Sequence, residues 1–236
     1  MLAVPQHATL VALIFLATGL ACGGGALLLI GLWLAGRPQA ALRLMAGLVT
    51  LGALYGFALL APALASGDRT LEAGEAKYFC ELDCHFAVTL AAVSKSRSLG
   101  EGASRVEADG VFHVVTVRAW FDASTVTSRR PSDAPLYTGP RRIRLVDGAG
   151  RTWAPSAAGQ GALGEPVDAL DRKLAPGASY EARYVFDVPA DARDLRLLVE
   201  DRSLVSRFLI GHENSPFHGD VGFDVSGAEA AGPRGG

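Results

Sequence analysis

The densest chemistry in the sequence lies in one short run, Tyr78-Phe79-Cys80-Glu81-Leu82-Asp83-Cys84-His85. It places a pair of thiols, a pair of carboxylates and an imidazole side by side. Four chemistries suit such a pattern. Cys80 and Cys84 can close a disulfide in an oxidising compartment and pin a loop where a strand begins, and this is the favoured reading. Thiolate and imidazole are also ligands for copper or zinc. His85 stands beside the pair, and His212 or His218 can be supplied from late in the chain. Paired low-pKa thiols can act as a redox dithiol. Covalent haem needs Cys-x-x-Cys-His, and the spacing here is one residue longer. No cofactor is therefore favoured, with copper or zinc as the alternative.

A second group, Arg129, Arg130, Arg141, Arg142 and Arg144, surrounds a Pro-rich loop. Such a cluster can meet an acidic partner or lipid head groups. The simpler reading, a solvated loop and one strand face in an Arg-rich chain, is favoured over that one. His113 lies within an apolar alternation, which suits the edge of a core better than a ligand position. The chain has no Gly-x-Ser-x-Gly elbow, phosphate-binding loop or His-Glu-x-x-His. No enzyme activity is expected. The net charge of −2 over 236 residues argues against a nucleic-acid partner. The excess of Arg over Lys, with Asn214 as the single asparagine, reads as the codon usage of a GC-rich bacterial genome.

These residues need elements to position them, and the chain divides sharply. Up to Gly67 the only Arg, Lys, Asp or Glu side chains are Arg37 and Arg43. The apolar runs on either side of that pair each exceed the ~20 residues that cross a bilayer. They predict helices at about 9–35 and 44–66, forming a transmembrane hairpin over 1–67. Its short linker, Gly36 to Arg43, is positive and should face the cytoplasm. The N-terminus and everything after Gly67 then lie on the periplasmic or extracellular side of a bacterial inner membrane. A cleaved signal peptide would need a basic start and a shorter apolar core. A lipid-modified Cys22 would need Leu where Gly19 stands. Gly19 with Gly23, and Gly52 with Gly56, have the spacing that allows close helix contact.

After Gly67 the apolar period falls to two. Tyr180, Ala182, Tyr184, Phe186 and Val188 alternate with mostly charged residues, which is a half-buried strand. Val111 to Phe121, Phe86 to Leu90 and Leu195 to Val199 make further stripes, and Phe208-Leu209-Ile210 a shorter one. Asp147-Gly148-Ala149-Gly150 reads as a hairpin turn. The pattern predicts a linker over 68–77, an all-β antiparallel sandwich over 78–225, and a disordered tail over 226–236. Ser124–Pro140 and Ala154–Leu170 read as long loops.

Resemblance adds a little to this. The run Leu174-Ala175-Pro176-Gly177-Ala178-Ser179-Tyr180, then Tyr184-Val185-Phe186-Asp187-Val188-Pro189, then Leu195-Arg196-Leu197, is similar to secreted bacterial immunoglobulin-like domains of unknown function. That resemblance implies an immunoglobulin-like fold anchored outside the cell. The layout of two helices, an outer β-domain and a Cys-x-x-x-Cys pair also resembles subunit II of haem–copper oxidases. The likeness stops at the layout. His85 directly follows Cys84, position 88 is Val88, and both methionines, Met1 and Met45, precede the outer domain. The expected role is a non-catalytic accessory or interaction module in a larger membrane complex, respiratory or photosynthetic, with other membrane subunits and the bilayer as partners. The alternative is a copper- or zinc-binding redox protein.

Overall fold

Pro38 opens the second of two long helices, earlier than the charge pattern predicts. The computed structural model describes residues 8–79, 86–123, 135–137, 141–166 and 170–226. Helix α1 spans Ala8–Leu34 and α2 spans Pro38–Ala65. Both are long and apolar enough to cross a membrane. The expected linker of 36–43 shrinks to three residues between the helices. Arg43 marks the end of an apolar run, whereas Pro38 in the first turn, followed by Ala40 and Ala41, marks the start of a hydrogen-bond ladder. Gly36 takes φ +70° at the reversal, and the Arg37 amide closes it by donating to the Leu32 carbonyl at 2.9 Å.

The helix pair meets through a glycine other than those the spacing suggests. A Cβ on Gly25 would lie 2.5 Å from Leu48 Cδ2, whereas one on Gly19, Gly23, Gly52 or Gly56 would have no neighbour within 4 Å. The four-residue spacing brings those glycines to one side of each helix, but it does not fix which side faces the partner.

The chain forms two compact units. The helices, through Gly67, belong with Leu204–Gly219. This was expected to lie inside the sandwich, with Phe208-Leu209-Ile210 as a strand. The structure instead shows a 3-10 turn at Val205–Phe208, followed by a succession of turns. The Leu209, His212, Ser215 and His218 amides each donate to the carbonyl three residues earlier, at 3.4, 3.1, 2.9 and 3.1 Å. An apolar triplet ending at Gly211, whose φ is +74°, is too short to hold an extended ladder.

The other unit gathers Asp68–Ser203 with the chain from Asp220 onward. Its strands are β1 (Arg69–Leu71), β2 (Lys77–Phe79), β3 (Phe86–Leu99), β4 (Val106–Phe121), β5 (Leu136–Tyr137), β6 (Arg141–Val146), β7 (Thr152–Trp153), β8 (Lys173–Leu174), β9 (Ser179–Val188), β10 (Arg196–Asp201) and β11 (Val221–Asp224). One sheet runs β1-β11-β10-β6-β7 and another β2-β3-β4-β9, with β5 and β8 paired as a ribbon. Both larger sheets feed one core. Phe86, Val88, Val115, Val117, Tyr184 and Phe186 come from the second sheet, and Leu71, Leu145, Leu197 and Phe223 from the first. Alternation along each strand supplies one apolar face per sheet, and two such faces packed together form a β-sandwich. Pairing is antiparallel except where β1 lies parallel to β11, Arg69 opposite Val221. The expected linker over 68–77 is therefore partly sheet, because Leu71 is long enough to reach the core.

The predicted turn at 147–150 is present. It joins β6 to β7, with Asp147 Oδ1 accepting the amides of Ala149 and Arg151 at 3.1 and 2.8 Å. The predicted loop 154–170 instead carries a short helix, α3 (Ala157–Leu163). Its glycines and two-turn length conceal any apolar period. Ser156 caps it by accepting the Gly159 amide. Gln160, fully buried, accepts the Val185 amide at 2.6 Å and donates to the Arg183 carbonyl at 3.3 Å. Its carboxamide thus occupies the open edge of β9 as a neighbouring strand would. Leu163 joins a second apolar cluster with Phe112, Val114 and Val185. That cluster explains why β9 is buried on both faces around Val185, where the alternation predicts one.

Candidate functional site

Cys80, Cys84 and His85 lie outside the described residues, as do Arg129 and Arg130. The base from which the cysteine run springs is described. Phe79 ends β2 and Phe86 begins β3, and the two are directly opposed in register. Their rings sit 5.6 Å apart. The connection between these strands is therefore 80–85, held at both ends by one aromatic pair.

Two cations are buried at this base. Lys77, only 3% exposed, donates its ammonium to the Val199 carbonyl at 2.8 Å and the Val221 carbonyl at 3.1 Å. β2 belongs to one sheet and those carbonyls to the other, so a single ammonium ties the layers together. Its Nζ also lies 5.2 Å from the Phe79 ring centre. The Arg141 guanidinium stacks 4.5 Å from the Phe79 ring and 5.4 Å from the Phe86 ring. It pairs with Asp201 at 2.7 Å, and both side chains are almost wholly buried. Arg141 and Asp201 are register partners on β6 and β10, so the sheet itself delivers the pair. A buried ion pair resists loss of either partner strongly, because the survivor is a charge out of water.

The other two described arginines of the cluster, Arg142 and Arg144, share the opposite face of β6. Arg144 reaches diagonally to Glu200, with contacts of 2.7 and 3.2 Å. That hydrogen bond raises the guanidinium above its ordinary pKa against an opposing effect of burial. Arg142 lies exposed on the same strand. Of the cluster expected to meet a partner or lipid, Arg141 and Arg144 are thus engaged within the sandwich.

The distal histidines belong to the helix unit. His212 Nδ1 accepts the Asn214 amide at 3.1 Å, and His218 Nδ1 lies 2.8 Å from the Gly219 carbonyl. Both contacts shape turns. Among the described residues, no three His, Cys, Asp or Glu side chains converge to hold a metal ion, no disulfide forms, and Cys22 is a free thiol. His113 is buried beside an open hollow of about 330 Å³, lined also by Lys95, Asp194 and Leu195. The described groups hold Phe79 and Phe86, on either side of 80–85, in register; they do not compose a nucleophile, a base and an oxyanion pocket.

Sequence reasoning passed over Lys77 and Asp201. Lys77 is one of three lysines in the chain and stands immediately before two aromatics. A cation at that place in a short strand is the available signal. Asp201 carries none, because its role depends on the register between β6 and β10.

The fold defines a class, a pair of long apolar helices joined to a two-sheet β-domain. No protein-family model matches the chain, and no curated protein sequence is similar to it. Among solved structures it is similar to a conserved hypothetical protein from Bacillus anthracis, at 17% identity over 57% of this chain and 92% of that one, with a TM-score of 0.37. It is also similar to the yjhA protein from Bacillus subtilis, at 12% identity over 65% and 98%, with a TM-score of 0.38. A third is the secreted protein MPT63 from Mycobacterium tuberculosis, at 9% identity over 66% and 97%, with a TM-score of 0.40. Likeness at these scores does not bear on function.

Proposed function

We propose that this is a two-pass, membrane-anchored protein whose β-unit, an immunoglobulin-like sandwich, works outside the cytoplasm as an interaction or accessory module of a larger membrane complex. One observation carries the reading. The apolar windows of α1 and α2 are 0% and 6% buried, so they are not the core of a water-soluble fold. Leu20, Leu27, Trp33, Val49, Leu54 and Phe57 all point outward, a surface that water disfavours and lipid accepts. Arg37, in the helical reversal, and Arg43, in the second turn of α2, favour placement of that end inside. No Asp, Glu, Lys, Arg or His lies between Arg43 and Asp68, which argues against a proton or ion path there.

Topology reporters test the reading. A reporter fused after the β-unit should be active only outside the cytoplasm, and one inserted at Gln39 only inside. The reverse pattern, or release of the chain into the soluble fraction, would overturn it. Metal and thiol assays on the same purified protein address the alternative. Stoichiometric copper or zinc lost on replacing Cys80 or Cys84 would favour a metal-handling role over the accessory one.

A further inference from the structure

Much of the segment Leu204–Gly219 has its polarity turned inside out, although Arg207 is exposed and His212, Glu213 and His218 are half-buried. Ser206 and Ser215 are 1% and 4% exposed, while Leu204, Val205, Phe208 and Phe217 are 69%, 52%, 52% and 73% exposed. A loop in water normally shows the opposite. The inward polar groups complete one another. Asn214 Nδ2 donates to Ser206 Oγ at 2.9 Å, and Ser215 Oγ donates to the Leu209 carbonyl at 2.9 Å. With the repeating three-residue turns described above, this satisfies much of an irregular backbone internally. Such economy is what a non-helical segment requires at membrane depth.

Two bonds fix the segment against α2. Tyr55 donates its hydroxyl to the Phe208 carbonyl at 2.5 Å, and Ser66 Oγ accepts the Gly219 amide at 2.8 Å. Tyr55 lies about 15 Å along the axis from the helix end at Ala65, given the α-helical rise per residue. The segment therefore runs beside the last three turns of the second apolar helix. Phe217 adopts φ +67°, a left-handed conformation that a bulky side chain rarely takes, and it projects its ring outward from there.

We propose that Leu204–Gly219 is a re-entrant segment embedded in the lipid leaflet around the C-terminal end of α2, with Leu204, Val205, Phe208 and Phe217 among the acyl chains. This rests on the membrane-anchored reading of the helices. The occupant of the apolar patch is lipid, because the patch continues the exposed apolar surface of the helix to which it is bonded. Arg207, exposed between these residues, can extend its guanidinium to the head groups while its stem stays among apolar neighbours.

Introduced tryptophans in the full-length protein test this. Phe208→Trp, Phe217→Trp, Leu54→Trp on the exposed face of α2 and Ala149→Trp on the β-unit turn are each reconstituted in phosphatidylcholine vesicles, with and without bromine on the acyl chains. The emission of the unsubstituted protein, from Trp33, Trp120 and Trp153, is subtracted. Bromine should quench the added emission at 54, 208 and 217 and leave that at 149 unchanged. Quenching at 54 without quenching at 208 and 217 overturns the re-entrant segment and leaves the anchor standing. If the unquenched residues also resist iodide from water, protein covers the patch instead. No quenching at 54 overturns the anchor and the segment together.

Discussion

Tyr55 and Phe208 stand 153 residues apart in the chain and are joined by a hydrogen bond from the phenol to the backbone carbonyl. The bond attaches a late excursion, between β10 and β11, to the helix that precedes the whole sandwich. Tyr55→Phe removes the donor and keeps the ring. The segment should loosen by about 1 kcal/mol, the usual net worth of one hydrogen bond. Limited trypsin cleavage after Arg207, in detergent micelles, should be severalfold faster than in the parent. Equal cleavage rates would show that the bond does not hold the segment.

Lys77→Met tests the tie between the sheets. Methionine fills a similar volume, but the Val199 and Val221 carbonyls lose their shared ammonium donor. Destabilisation of the β-unit by about 1–3 kcal/mol is expected for a buried bond partner removed. Denaturant unfolding of the full chain, followed through Trp120 and Trp153, reads this as a lower midpoint at unchanged slope. An unchanged midpoint would mean that packing alone joins the layers there.

Acid should weaken the β-unit through Asp68 and Asp147. The Asp220 amide and the Arg196 guanidinium hold the Asp68 carboxyl below its ordinary pKa. For Asp147, burial opposes ionisation, but hydrogen bonds from the Arg151 side chain and from the Arg151 and Ala149 amides outweigh it, and its pKa is also lowered. A depressed folded-state pKa contributes stability above the unfolded value of about 3.9. That contribution is lost as pH falls through the unfolded value toward the lower folded one. The denaturation midpoint should therefore drop below about pH 4, and the double variant Asp68→Asn, Asp147→Asn should show a flatter profile with lower stability at neutral pH. A parallel profile in the variant would assign acid sensitivity to other groups.

The sequence revealed the elements whose signal is local. The apolar runs marked both helices, the alternation from Tyr180 to Val188 marked β9, and Asp147-Gly148 marked its turn. Boundaries were less legible where two signals diverge, as at Pro38, where helix begins before hydrophobicity does. Features that depend on distant register were invisible. The burial of Lys77 is set by which carbonyls β10 and β11 place beside it. The partner of Arg141 is set by the pairing of β6 with β10. The segment 204–219 misled because Phe208-Leu209-Ile210 reads as strand material by composition, while its backbone closes into turns and Ser206 and Ser215 face inward. The cysteine run was conspicuous in sequence, and the structure describes its supports, Phe79 and Phe86, rather than the run itself.

The parallel pairing of β1 with β11 has a mechanical consequence. Each strand follows directly on a stretch of the helix unit, β1 after Gly67 and β11 after Gly219. The entering chains are cross-tied, since Asp68 Oδ1 accepts the Asp220 amide at 3.0 Å and the Arg69 amide donates to the Asp220 carbonyl at 2.8 Å. Tension applied through the helix unit thus reaches the sheet along two neighbouring strands pointing the same way. Pulled together, β1 and β11 keep their own pairing unloaded and pass the load to the hydrogen bonds between β11 and β10. The load is thereby shared by two strands of one sheet instead of falling on a single one.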